Sequence, residues 1–314
     1  MRLHITHTTT YDYTPAVSTA QHQAHLLPRQ TPTQTVLGAA LHMSPEPQSL
    51  HEGEDVYGNR RVFFALNQAH AQLRIEARSE VQTRGPLGQD GPPTPWEEVR
   101  AHFQYRAGGV WDPAQEFCFP SRHVQIHPDF EHYARQSFTP GRPLAQAAVD
   151  LMQRMHADFT YAAHSTDVHT PALAALHARQ GVCQDFAHIL LCALRTLGLS
   201  ARYVSGYLLT EPPPGQARLI GSDASHAWAS VYLPAAPGST DHAAPPSAPA
   251  GAWLDLDPTN NRAGLGTPGE DYVCLAWGRD YADVSPVRGV IHGGASHRLS
   301  VGVTVTPIAS AAPV

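Results

Sequence analysis

The sequence predicts an α+β protein, and three stretches carry that prediction. Residues 1–84 hold apolar side chains at period two, the spacing of half-buried strands. Residues 143–197 hold them at helical spacing, and from 201 to 257 period two returns. With 314 residues, 42% of them hydrophobic, the chain is long enough for about two domains. The expected order is a β-rich domain over 1–84, a linker with irregular or helical structure over 85–142, a mixed core over 143–308, and a tail over 309–314.

In the first block, Leu3 and Ile5, and less cleanly Tyr11 and Tyr13, mark a Thr-rich strand. Val36 to Met43, Arg61 to Leu66 and Leu73 to Val81 read as further strands. Asp55-Val56-Tyr57-Gly58-Asn59 is turn chemistry, with Gly58 and Asn59 both able to take positive φ. Gly85 to Pro93 is rich in Gly and Pro and reads as a linker.

Pro143 suits the first turn of a helix carrying Leu144, Ala148, Leu151, Met152 and Met155. Thr170-Pro171 opens a short helix that stops near Gly181. A second helix runs from about Cys183 to Leu197, apolar at Phe186, Ile189, Leu190, Ala193, Leu194 and Leu197, and Gly198 ends it. A helix so broadly apolar belongs in the middle of a core. Ala201 to Leu208 is a strand closed by Glu211 to Gly215. His226 to Leu233 and Ala252 to Asp257 are two more, flanking an Ala/Pro/Ser-rich surface insertion from Pro234 to Gly251. Leu299 to Val305 alternates again as a last strand.

Composition narrows the function. Net charge is −6 without a basic cluster, which speaks against nucleic acid as a partner. No apolar run approaches the roughly 20 residues a membrane helix needs, and Met1 to Thr6 opens no secretory h-region. Cys118, Cys183, Cys192 and Cys274 are scattered, with no CxxC pair or disulfide framework, so a reducing, cytoplasmic setting is expected. The chain contains no lysine, which excludes lysine self-cross-linking.

Cys183 is the candidate nucleophile. A helix start presents unpaired N–H groups and partial positive charge, which favour a thiolate. His226 and Asp257 are the candidate base and orienter. If Leu233 faces Ala250 across the insertion, His226 faces Asp257; a slip of one residue would turn the aspartates to the opposite face. Such a triad lets the thiolate attack a carbonyl while backbone N–H groups hold the oxyanion. Asp255 is the runner-up orienter by alternation. Cys118, Cys192 and Cys274 read as structural thiols. His188 lies five residues past Cys183, roughly 140° around a helix, and reads as structural; Asp185 reads as a helix-start carboxylate. Trp228 is balanced between lining the acyl site and packing. His22 and His25 read as a surface pair and not as metal ligands.

Gly181-Val182-Cys183-Gln184-Asp185-Phe186-Ala187-His188, Ser205-Gly206-Tyr207, His226-Ala227-Trp228 and Asp257-Pro258-Thr259-Asn260 together resemble the core of the bacterial transglutaminase-like superfamily. Gly278 to Pro286 resembles the same group, as does the N-terminal block with Tyr11-Asp12-Tyr13, Leu27-Pro28-Arg29 and Asp55 to Asn59. The resemblance implies a papain-like α+β core with a thiol at a helix N-terminus packed on an antiparallel sheet. It also implies Cys183, His226 and Asp257 in the roles given, and Asp280 and Tyr281 near the cleft; Trp228 stays a candidate for the substrate side on its position beside His226 alone. No metal or other cofactor is implied. The expected substrate is a peptide or protein amide, with hydrolysis preferred. A glutamine transglutaminase or deamidase and a non-catalytic peptide-binding module are the rivals.

Overall fold

β1 (Arg2–Ala24) is the spine of the first sheet. Its first half alternates cleanly, with Leu3, Ile5, His7 and Thr9 buried and Arg2 and His4 exposed. The computed structural model describes residues 1–88, 90–105, 107–108, 111–163, 170–210, 224–235, 251–294 and 296–308. β2 (Gln34–Ser44), β3 (Ser49–Glu54), β4 (Arg60–Leu66) and β5 (His70–Thr83) complete the run, in the order β2-β5-β1-β4-β3. β3 is almost wholly exposed, so no apolar alternation announces it in the sequence. In the turn after it, Asp55 Oδ1 accepts from the N–H groups of Tyr57 and Asn59 at 2.9 Å each. Of the two residues expected at positive φ, Gly58 takes it and Asn59 does not.

The 85–142 stretch does not behave as a linker. α1 (Trp96–His102), a 3-10 turn (Pro113–Cys118) and α2 (Pro128–Arg135) bury Trp96, Phe130, Tyr133 and Phe138 in the same core as the helices that follow. Those helices are α3 (Leu144–Asp158), α4 (Ala172–Ala178) and α5 (Cys183–Thr196), with the short parallel pair β6 (Thr160–Tyr161) and β7 (Gln180–Gly181) between them. The reason lies in α5. Every residue from Asp185 to Arg195 is buried, so it needs cover on all sides; the second sheet covers one side, and α2, α3 and α4 cover others. Arg195, buried among these apolar residues, donates to the carbonyls of Phe119, Ala201 and Arg279, tying two loops and the start of the next strand to the helix.

β8 (Ala201–Leu208), β9 (Ala224–Pro234), β10 (Gly251–Asp257), β11 (Arg262–Leu265) and β12 (Tyr272–Gly278) form an antiparallel sheet in the order β11-β10-β9-β8-β12. Ala227, Ala229 and Val231 of β9 face the core that contains α5. A short helix, α6 (Tyr281–Val284), follows.

The chain then returns to its beginning. β13 (Val287–Gly293) pairs with the second half of β1, and β14 (Ser296–Pro307) pairs with the first half from Leu3↔Pro307 to Thr14↔Ser296. A core running to residue 308 is therefore corrected: residues 287–307 close the first sheet, not the second. Pairing of the first and last strands is non-local, and no spacing rule reveals it. The turn at Glu211 to Gly215, residues 236–250 of the insertion and the tail from 309 lie outside the described residues.

Candidate active site

Gly181 and Val182 are extended, and the helix begins at Cys183. Asp185 reaches back to accept from the Val182 N–H at 2.8 Å, so it anchors the helix start. Gly181 is needed for this closeness, because an added Cβ would meet the Asp185 Cβ at 2.8 Å. Cys183 is half-buried at the first helical position, where backbone N–H groups lack helical acceptors.

His226 stands near the start of β9, and its Nε2 meets Asp257 Oδ2 at 2.7 Å. That leaves Nδ1 for the sulfur side, and the Cys183 side chain bonds the same imidazole. The pairing register differs from the expected one by two: Leu233 faces Ala252, and Leu256 faces Ala229. A shift of two preserves the face of every side chain, so Asp257 lies one pleat further along from His226 and still reaches it.

Asp257 is fully buried and holds several donors. Tyr272 Oη (2.7 Å) and Asn260 Nδ2 (2.8 Å) donate to Oδ2, and the N–H groups of Thr259 and Asn260 donate to Oδ1. Burial alone would push its carboxyl up; His226, Asn260 and Tyr272 outweigh burial and hold it below its usual value. Burial likewise opposes charge on His226, but the bonds to Asp257 and Cys183 prevail and raise it. The pair is built to keep an imidazolium.

Asp255 does not share this task. It accepts from Trp228 Nε1 at 3.2 Å and from the Ser230 hydroxyl, and burial pushes its carboxyl up to about 6 against the pull of Arg202. Trp228, balanced between the acyl site and packing, is 2% exposed, packs against both His226 and Tyr272, and is not among the residues lining the cavity beside Cys183. Asp280, also expected there, is 1% exposed. Its oxygens accept from the N–H groups of Ala282 and His123, so it caps α6 instead. Tyr281 does face the cavity. His188 sits one layer back, stacked on His123 and accepting from the Tyr281 N–H at 3.3 Å; burial drives it down to about 3. Burial pushes the thiols of Cys118, Cys192 and Cys274 up to about 12 each. His22 and His25 are buried, not on the surface. Among the described residues, no three His, Cys, Asp or Glu side chains are grouped to hold a metal ion, and no helix is long and apolar enough to cross a membrane.

Cys183 and His226 open into a cavity of about 320 Å³. One wall is the core, through Gln184, Tyr203, Ser205 and Tyr281; the other is the first sheet, through Thr9, Tyr11, Leu299 and Val301. His7 joins the two, with Nδ1 2.9 Å from the Tyr207 hydroxyl. A larger concavity of about 660 Å³, beside Arg142, Asp150 and Asn261, contains neither a cysteine nor a histidine among its lining residues. Sequence reading missed Tyr272, Arg195 and the whole second wall. Asn260 was within a recognised motif but had no role assigned.

Residues 3–82 match the model of the bacterial transglutaminase-like N-terminal region, and residues 131–258 match that of the transglutaminase-like superfamily. An uncharacterized protein of Mycobacterium tuberculosis (strain H37Rv) is 38% identical over 98% of this chain and 93% of its own length. One of Mycobacterium leprae is 28% identical over 98% of this chain and 99% of its own. The crystal structure of a "putative cysteine protease" from Cytophaga hutchinsonii covers 99% of this chain and 92% of its own, with a TM-score of 0.69 at 20% identity. At that identity the likeness speaks for the fold.

Proposed function

The chain belongs to the transglutaminase-like superfamily, and on that premise we propose a cysteine-dependent acyl-transfer enzyme that hydrolyses peptide or amide bonds. The observation that carries this reading is one imidazole, His226, bonded to Asp257 on one side and to Cys183 on the other. Nucleophile, base and orienter are in contact in the order the chemistry requires.

In the first half-reaction the Cys183 thiolate attacks the carbonyl carbon. The oxyanion is held by backbone N–H groups at the start of α5. As the intermediate collapses, the carbon–nitrogen bond breaks and the His226 imidazolium gives its proton to the leaving amine. A thioester on Cys183 remains. Neutral His226 then takes a proton from water, whose oxygen attacks the thioester. The carbon–sulfur bond breaks, which returns the thiolate and the imidazolium. Asp257 keeps the ring oriented and its charge balanced throughout. The substrate is a peptide or protein, and four unpaired thiols support a reducing, cytoplasmic location.

Iodoacetamide provides the test. At neutral pH Cys183 should alkylate far faster than Cys118, Cys192 and Cys274, and Cys183→Ser should remove that labelling and all turnover. Equal labelling of the four thiols only in alkaline solution would overturn the reading. Product mass from a glutaminyl peptide, with and without a primary amine, separates hydrolysis from transfer.

A further inference from the structure

The first sheet contributes a wall to the cavity whose chemistry differs from that of the core. The ladder of β1 and β14 presents one face inward, made of odd-numbered residues in the pairs Ile5↔Val305, His7↔Val303, Thr9↔Val301 and Tyr11↔Leu299. At the Ile5 end this face is sealed: Val303 is 2% exposed and Val305 is fully buried within the shared core. Two pairs further along, the sheet parts from the core and the same apolar stripe is left open. Leu299 is 51% exposed and Val301 52%, and both line the cavity that contains Cys183.

Apart from Cys183 and His226 themselves, the cavity is lined by neutral side chains. Among its described lining residues there is no Asp, Glu or Arg. His7 lines it, but that ring is buried and bonded through Nδ1 to Tyr207 and through Nε2 to Thr9, both neutral hydroxyls. Polar side chains lie on the core wall beside the thiol, at Gln184, Ser205 and Ser225, where the atoms of an amide would need partners. The opposite wall is Thr9, Tyr11, Leu299 and Val301, uncharged and apolar except for two hydroxyls, with Pro286 and Val287 at its margin. A volume of about 320 Å³ is at the small end of ligand pockets, roughly 300–1,000 Å³, which suits a short segment of substrate.

We infer that the β1–β14 face is an acyl-side subsite, selecting donors whose group next to the scissile carbonyl is aliphatic or aromatic and uncharged. The inference rests on the acyl-transfer reading of Cys183 and adds its substrate class. A carboxylate or ammonium at that position would leave water for an apolar wall that offers no counter-charge.

Three p-nitrophenyl esters test it on the full chain: acetate, phenylacetate and hemisuccinate. Their acylation rates are each normalised to the rate with free cysteine. Phenylacetate should exceed hemisuccinate by about tenfold or more, the discrimination one apolar pocket gives. In Leu299→Arg, at a half-exposed position, the preference should collapse and turn toward the hemisuccinate, while Leu299→Met should keep the wild-type order. A thermal melt verifies that each variant is folded. Equal normalised rates in the wild type, or an unchanged preference in folded Leu299→Arg, would overturn the subsite. Labelling that survives in Cys183→Ser, or no acylation of Cys183 by any ester, would instead remove the acyl-transfer reading and the subsite with it.

Discussion

His226 and His7 line the same cavity from opposite walls and are both almost completely buried, yet they are held in opposite protonation states. Burial works against the charged form of each. For His226 the Asp257 carboxylate and the Cys183 side chain outweigh it, and the imidazole is raised. His7 has only hydroxyl partners, and burial takes it down to about 4. A buried histidine therefore loses its charge unless the chain places a carboxylate beside it. In this cavity the chain does so once, next to the thiol, and keeps the facing wall neutral.

The most direct way to break the contrast is Asp257→Asn. Without the carboxylate, His226 becomes a buried histidine like His7. Turnover should fall by about 10³- to 10⁴-fold, as expected when a triad orienter loses its charge. The alkaline limb of the rate profile should also move to lower pH, because the imidazolium loses its stabilising partner. A pH–rate profile in which that limb stays in place would show that Asp257 does not govern the ring.

The opposite wall is examined through stability. His7 and His22 are both held down to about 4 by burial, His22 with a smaller push from His70. The unfolded chain takes up protons near 6.5, while the folded sheet resists until about 4. Their stabilising effect is thus complete above pH 6.5 and lost as the pH falls toward 4. His7→Gln should flatten that acid loss by about 3 kcal/mol at most, since one pKa unit is worth about 1.4 kcal/mol. Denaturant melts from pH 7 to pH 4 measure it, and parallel curves for variant and wild type would count against the assignment.

Tyr272→Phe is the finest adjustment. It removes one of the donors to Asp257 Oδ2 and leaves the His226 bond in place. A stability loss of about 1–2 kcal/mol is expected for a hydrogen bond to a charged, buried group. Turnover should drop by about tenfold, in the lower range for an outer partner of a catalytic ligand. A change in melting without any change in kcat would make Tyr272 purely structural.

The parts legible in the sequence were those set by local periodicity. A glycine followed by an apolar helical run placed Cys183 at a helix start. Alternation placed His226 and Asp257 on matching faces of two strands. The register was two residues off because the insertion between the strands conceals where the pairing begins, and parity tolerated the error. The sequence leaves Trp228 open between substrate and packing and puts Asp280 near the cleft; the first packs and the second caps, because a motif fixes position along a strand or loop but not which neighbour buries it. Residues 85–142 read only as a linker with irregular or helical structure, because their helices are short and start at prolines or isolated caps. Leu299 to Val305 reads as a strand, but its place within the core domain gives way to pairing with β1 in the first sheet.

By itself, then, the sequence determined the α+β class, the strands and helices with clear periodicity, and where Cys183, His226 and Asp257 lie on them. These depend on steric and hydrophobic preferences within a few residues of each other. Only the tertiary structure decided what surrounds them: Tyr272 brought to Asp257 from another strand of the sheet, and an apolar wall brought to Cys183 by strands from the two ends of the chain. Those contacts join residues far apart in the sequence, through hydrogen bonds and burial that local pattern does not encode. The positions of Cys183, His226 and Asp257 were written locally, and the cleft around them is a product of folding.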